Sequence, residues 1–172
     1  AQPGQALDHA LVQFDDPASL TQLRQSARPS LATRLAQQTS PSDAVAEFLV
    51  PFGASLGRGV PYEDRAGTLL TVSDQLFLAS SGDITIAPDL APWLTFLAAA
   101  IRDPDEVWLG FTGSEGEAKP QLDRRYVRVD ETTGDVFAFL FGGRFWRALR
   151  VSGDDASDLM SLRRGKLLWK RN

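Results

Sequence analysis

Arginines interleaved with aromatic rings crowd the last third of this sequence. Arg124, Arg125, Tyr126 and Arg128 come first, then Arg144, Trp146, Arg147 and Arg150, then Arg163, Arg164, Lys166, Trp169, Lys170 and Arg171. Guanidinium groups meet phosphates and exposed rings stack on bases, so this mixture points to single-stranded RNA. The alternative is a set of ordinary solvated charges on strand faces. The net charge of −4 hides the feature. Residues 1–123 carry 16 acidic and 7 basic side chains, a net of −9, and residues 124–172 carry 6 and 11, a net of +5.

Among acid–base groups, Glu106 follows Asp103-Pro104-Asp105 and opens an alternating segment. A carboxylate on a cationic sheet can take the proton of a ribose 2′-hydroxyl, or can pair with one of the arginines. His9 is the sole histidine, which rules out a histidine pair. Phosphoryl transfer would therefore rely on Arg or Lys to stabilise the transition state. The chain has no cysteine, hence neither disulfides nor thiolate metal sites. No P-loop, dinucleotide fingerprint, HExxH motif or G-x-S-x-G elbow occurs, and no metal or cofactor is expected. Glu115 and Glu117 have the Glu-x-Glu spacing of ADP-ribosyltransferases, with Arg65 and Ser80-Ser81 upstream in the matching order. That makes an NAD-consuming toxin one rival reading.

These residues need elements to hold them. Residues 1–57 read as a polar helical extension, with helical spacing over Leu7–Phe14 and Leu20–Ala27. A further helix is expected near 41–50, capped by Ser40 with Pro41 at its first position. The glycines and prolines of 51–60 mark a boundary, so 58–172 is taken as the main domain. Residues 67–79 predict a strand and then a helical turn. Leu90, Trp93, Leu94, Leu97, Ala98 and Ile101 share one face of a helix over 88–102, which Asp103-Pro104-Asp105 ends. Alternation then predicts strands at 106–112, 124–131, 135–141 and 144–152, with Gly142-Gly143 as a hairpin turn. A short helix over 154–164 and a closing strand at 166–171 complete an α+β layout. N-terminal helices would pack on a four- to five-stranded, mostly antiparallel sheet. Val127, Val129, Phe145, Leu149 and Val151 are expected to face the helices. Tyr126, Arg128, Arg144, Trp146 and Arg150 would then form an open cationic face. Arg147 breaks this pattern and calls for a buried carboxylate partner or a bulge.

The helix ending in IRDPDEVWLGF (101–111), then RRYVRVDE (124–131), the strand with Trp146, and LRRGKLLWKRN (162–172) together form an ordered pattern. It resembles the C-terminal nuclease-like domain of phage Mu F-type head proteins and polymorphic toxins. That domain is grouped with barnase, EndoU, tRNA-cleaving colicins and RelE, and the resemblance covers about residues 58–172. It implies a metal-independent endoribonuclease with helices on an antiparallel sheet. By position it carries over Glu106 and Trp108, Arg125 and Tyr126, and Arg163 and Gly165. Where that pattern has a threonine after the aromatic strand, Ala148 and Leu149 stand here, and Ser152 is the nearest hydroxyl.

The resulting expectation is a toxin-type ribonuclease acting on RNA, tRNA included. Its catalytic residues would be Glu106, Arg125, Tyr126, Arg128 and Arg144, and its substrate contacts Trp146, Arg150, Ser152 and Arg163. A second rival is a non-catalytic RNA-binding or phage structural module. The expected partners are RNA and a cognate immunity or antitoxin protein. The setting is a bacterial effector, secreted or delivered into a target cytoplasm. The chain starts at Ala1 and its one methionine is Met160, so it is expected to come from a larger polypeptide or to have lost its initiator. No apolar run approaches the roughly 18 residues a membrane span needs, and no signal-peptide core is visible.

Overall fold

The structure is a computed structural model. It describes residues 20–25, 27, 32–79, 81–112, 121–131, 133–142, 145–151 and 162–171. Helix α1 is Leu20–Gln25, and α2 is Pro41–Leu49. Ser40 caps α2, its hydroxyl accepting from the Asp43 amide, with Pro41 at the first turn where no amide donor is needed. After a 3₁₀ turn at Val50–Phe52, a two-stranded ribbon pairs β1 (Val60–Glu63) with β2 (Leu69–Val72). The strand-then-turn expectation for 67–79 is met by β2 and a 3₁₀ turn at Asp74–Phe77. Helix α3 runs over Leu94–Arg102 behind a 3₁₀ turn at Ala91–Trp93, and Asp103-Pro104 ends it.

Five strands follow: β3 (Glu106–Thr112), β4 (Gln121–Val129), β5 (Val136–Gly142), β6 (Phe145–Val151) and β7 (Lys166–Lys170). Their spatial order is β6-β5-β4-β3-β7, and every neighbouring pair is antiparallel. The α+β layout read from the sequence is therefore the observed one, with the chain's last strand closing the sheet beside β3. Pairing of β5 with β6 continues to Gly142↔Phe145, so Gly142 belongs to the strand rather than to the turn. The expected helix over 154–164 lies mostly outside the described residues.

Both faces of the sheet are covered, which corrects the expectation of one open face. On one side Val107, Tyr126, Phe137, Phe139 and Ala148 pack against Phe48 and Leu49 of α2 and Leu94, Leu97 and Ile101 of α3. Phe48 and Leu49 come from the segment read as an N-terminal extension. Full burial of such side chains contributes about 1.5–3 kcal/mol each. On the other side Trp108, Val127, Val129, Val136, Ala138, Leu140, Val151 and Leu162 form a second core, with Leu23 of α1. The reason lies in β5, whose Val136-Phe137-Ala138-Phe139-Leu140-Phe141 is apolar at every position and supplies a core face on each side.

Cross-strand register fixes which residues share a face. Arg128, Phe137 and Arg150 form one row, and Arg124, Phe141 and Trp146 another, both on the side of α2 and α3. Val127, Ala138 and Leu149 form a row on the opposite side. The faces are thus the reverse of the sequence expectation. Tyr126, Arg128, Trp146 and Arg150 lie toward the long helices, and Val127, Val129, Leu149 and Val151 lie away from them.

Candidate active site

The face away from the long helices carries a line of charges that alternation and cross-strand register place together. Residue β3 Glu106 sits two positions before Trp108, so both side chains leave the strand on one side. The indole Nε1 of Trp108 donates to Glu106 Oε1 at 3.1 Å. Arg163, which precedes β7, meets the same carboxylate with both prongs: Nε to Oε1 at 2.6 Å and a terminal nitrogen to Oε2 at 2.8 Å. Next along the face, Trp108 pairs with Arg125 of β4, and Arg125 pairs in turn with Leu140 and that residue with Arg147. The Arg125 Nε donates to Asp123 Oδ1 at 2.8 Å, and a second guanidinium nitrogen reaches Oδ2 at 3.3 Å.

Two glycines make this arrangement possible. Gly165 has φ +105, and a Cβ there would stand 2.1 Å from the Leu109 carbonyl oxygen. Only glycine lets the chain approach β3 this closely, and that approach sets Arg163 over Glu106. A Cβ on Gly110 would lie 3.2 Å from the Arg164 carbonyl oxygen and 3.3 Å from the Arg125 guanidinium. The bare strand leaves room for that side chain. The β3–β7 register also shifts between Val107 and Trp108, a bulge directly beside the Glu106–Trp108 pair.

Four of these charged groups are removed from water: Glu106 is 2% exposed, Arg163 1%, Asp123 1% and Arg125 8%. Desolvating an ion costs several kcal/mol even after relaxation, and an apolar replacement of a buried pair is often equally stable. Such a group is a candidate for function as well as for architecture. Arg147, in the same row on edge strand β6, is exposed. It needs neither of the explanations its place in the sequence invited: it has no need of burial, and the β5–β6 register runs without a bulge.

The remaining expected site residues are elsewhere. Tyr126 is fully buried on the helical side and donates to Asp64 Oδ2 at 2.6 Å. Asp64 also accepts from the Thr68 amide and lies 3.6 Å from Arg124, so Tyr126 fastens the β1–β2 ribbon to the sheet. Burial and the Asp64 carboxylate both push the Tyr126 hydroxyl pKa far upward. Arg128 donates to the Asp103 carbonyl and carboxylate at 2.6 and 2.9 Å. Trp146 is no open stacking platform: its ring lies edge-on to Phe77 and stacked on Phe139. Arg150 donates to Asp135 at 2.7 Å and covers the Trp93 ring at 4.0 Å. Arg144 and Ser152 fall outside the described residues, as do His9, Ser80, Glu115 and Glu117.

The structure thus gathers Glu106, Arg125 and Arg163 and separates them from Tyr126, Arg128, Trp146 and Arg150. Arg147 and Asp123 join the gathered group although the sequence reading did not select them. The signal for Arg147 was its place as a charge on a face otherwise apolar in β6. Among the described residues no group of three or more His, Cys, Asp or Glu side chains is arranged to hold a metal ion, and no helix is long and apolar enough to cross a membrane.

No curated protein and no solved structure matches the chain. Residues 47–170, from the end of α2 through the whole five-stranded sheet, match the family model described as phage-Barnase-EndoU-ColicinE5/D-RelE like nuclease2. The three segments that build the charged row, around Glu106, Arg125 and Arg163, all lie inside that match, and the chain belongs to this nuclease family.

Proposed function

We propose that the protein is a metal-independent endoribonuclease whose active site is the charged row on the sheet face away from α2 and α3. The observation that carries the reading is the convergence of Glu106, Arg163 and Arg125 from segments up to 57 residues apart. They supply a carboxylate base beside guanidinium groups. Glu106 takes the proton of a ribose 2′-hydroxyl, and the 2′-oxygen attacks the adjacent phosphorus. Arg125 and Arg163 stabilise the charge that grows on the non-bridging oxygens. The bond from phosphorus to the 5′-oxygen breaks, and that oxygen leaves with a proton from water. The products are a 2′,3′-cyclic phosphate and a 5′-hydroxyl end. Arg147, open to solvent two strands from Arg125, holds a neighbouring phosphate. Tyr126, Arg128, Trp146 and Arg150 keep the framework together from the other side.

The near-complete burial of Glu106 and Arg163 favours a second reading, in which the pair is architectural and the domain binds RNA without cutting it. Incubating total RNA and purified tRNA with the protein in EDTA separates the two. The nuclease reading expects discrete fragments ending in cyclic phosphate from the wild type and intact RNA from a folded Glu106→Gln variant. Intact RNA from both, with salt-sensitive retention on the protein, would establish the binding reading instead.

A further inference from the structure

A second charged region lies on the opposite side of the sheet, at the C-terminal end of α3. A cleft of 490 Å³ is lined there by Ala32, Val50 and Pro51, by Glu47, and by Arg65, Arg102 and Arg128 with Asp103. That volume falls in the range of about 300–1,000 Å³ typical of small-molecule sites. Helix α3 gives the cleft a direction. Thr95, Ala99 and Arg102 all line it and recur at helical spacing on one side of α3. The seven steps from Thr95 to Arg102 span about 10 Å at 1.5 Å per residue. The Thr95 end is tied down by its hydroxyl donating to the Thr33 carbonyl. The other end is cationic.

A helix C-terminus is normally hostile to anions because its last carbonyls point outward. Here the two outermost carbonyls, of Arg102 and Asp103, are occupied. The Arg102 carbonyl accepts from Tyr62 Oη at 3.4 Å and from Arg65 Nε at 3.3 Å, and the Asp103 carbonyl accepts from Arg128 at 2.6 Å. The Asp103 carboxylate is shared by Arg128 at 2.9 Å, by Arg171 and, loosely, by Arg65 at 3.7 Å. Arg65 is half exposed, and Arg102 is exposed, its guanidinium beside the Tyr62 hydroxyl and in no ion pair among the described residues. The lining holds three cations against two carboxylates, Glu47 and Asp103.

We propose that this cleft binds a nucleoside monophosphate group, its phosphate on Arg65 and Arg102 and its nucleoside along the Val50–Pro51 and α3 wall. Glu47 offers ribose hydroxyls or a base amino group an acceptor, and its charge works against a bare anion. The site therefore favours a nucleotide over inorganic phosphate. The group can come as a free nucleotide or as the phosphorylated end of a strand. The proposal is independent of the nuclease reading, because the cleft and the charged row lie on opposite faces of the sheet.

Calorimetric titration of the full chain with AMP tests it, alongside inorganic phosphate and a 5′-phosphorylated, 2′-O-methylated RNA hexamer that cannot be cut. Saturable AMP binding, stronger than that of phosphate, should weaken by about tenfold in Arg65→Gln and again in Arg102→Gln, the size expected for one charge-assisted hydrogen bond. Glu47→Gln should tighten inorganic phosphate. Displacement of AMP by the hexamer assigns the site to strand ends, and its failure assigns the site to free nucleotides. Absence of AMP binding to the wild type, or AMP binding by both arginine variants as tight as that of the wild type, would overturn the proposal.

Discussion

The two charged regions of this molecule solve the problem of holding guanidinium groups in opposite ways. On the face away from the long helices, Glu106 meets Arg163 and Asp123 meets Arg125, each pair bidentate and shielded from water. Beside α3, Arg65, Arg128 and Arg171 share Asp103, Arg65 stays half exposed, and Arg102 next to them is exposed as well. The difference follows from dielectric surroundings. A surplus charge is tolerable where water screens it and prohibitive where water is absent. The closed row can therefore fix the geometry of reacting groups, and the open cleft can attract an anion but holds it less rigidly.

The largest test of that contrast is to unbalance the closed row. Arg163→Met strands the Glu106 carboxylate, and urea unfolding should register a loss of about 3–5 kcal/mol. Adding Glu106→Gln to that variant should restore a large part of it. A loss no greater than that of an exposed arginine would erase the distinction between the two regions. Gly165→Ala comes next. With φ +105 and the Leu109 carbonyl in the way, it should cost about 3 kcal/mol in the same assay.

A smaller effect is expected on the helical side. Tyr126→Phe removes a buried hydrogen bond to Asp64 and should cost about 1–3 kcal/mol, with RNA cleavage unchanged. Its pH signature is specific. The folded-state pKa of Tyr126 is raised above the ordinary value of 10.0. The folded protein then keeps the proton where the unfolded chain releases it, so the contribution is complete below pH 10 and is lost progressively above it. Unfolding curves collected on the alkaline side should fall more steeply for the wild type than for Tyr126→Phe. Parallel curves would contradict the assignment. The smallest change belongs to Arg65→Gln, which should alter stability by less than about 1 kcal/mol because its ion pair is long and solvated.

Local signals were readable in the sequence wherever one residue and its neighbours decide the outcome. The Ser40-Pro41 start of α2, the Asp103-Pro104 end of α3 and the alternation of Glu106–Trp108 against Val107 are of this kind. So is the return of 166–170 to the sheet. What alternation cannot supply is the identity of the face that receives the helices. In β5 both faces are apolar, so the pattern is silent, and assigning the valines of β4 to the helices reversed the sheet. That one choice put Tyr126 and Arg128 in an imagined open site and made Arg147 look like an error. Glu106 could be read as a base or as an ion-pair partner, and its pairing with Arg163 across 57 residues depends on β7 docking against β3. No local pattern contains that contact.

The most direct measurement uses β6, where Arg147 and Arg150 stand on opposite faces of one strand. Initial rates of tRNA cleavage in EDTA should be compared for the wild type, Arg147→Ala and Arg150→Ala, each verified as folded by circular dichroism. A catalytic row on the face away from the long helices predicts that Arg147→Ala lowers kcat/KM by about tenfold, the loss of one phosphate contact, while Arg150→Ala leaves it unchanged. The reverse pattern, cleavage lost with Arg150 and kept without Arg147, would move the active site to the helical side and contradict the account.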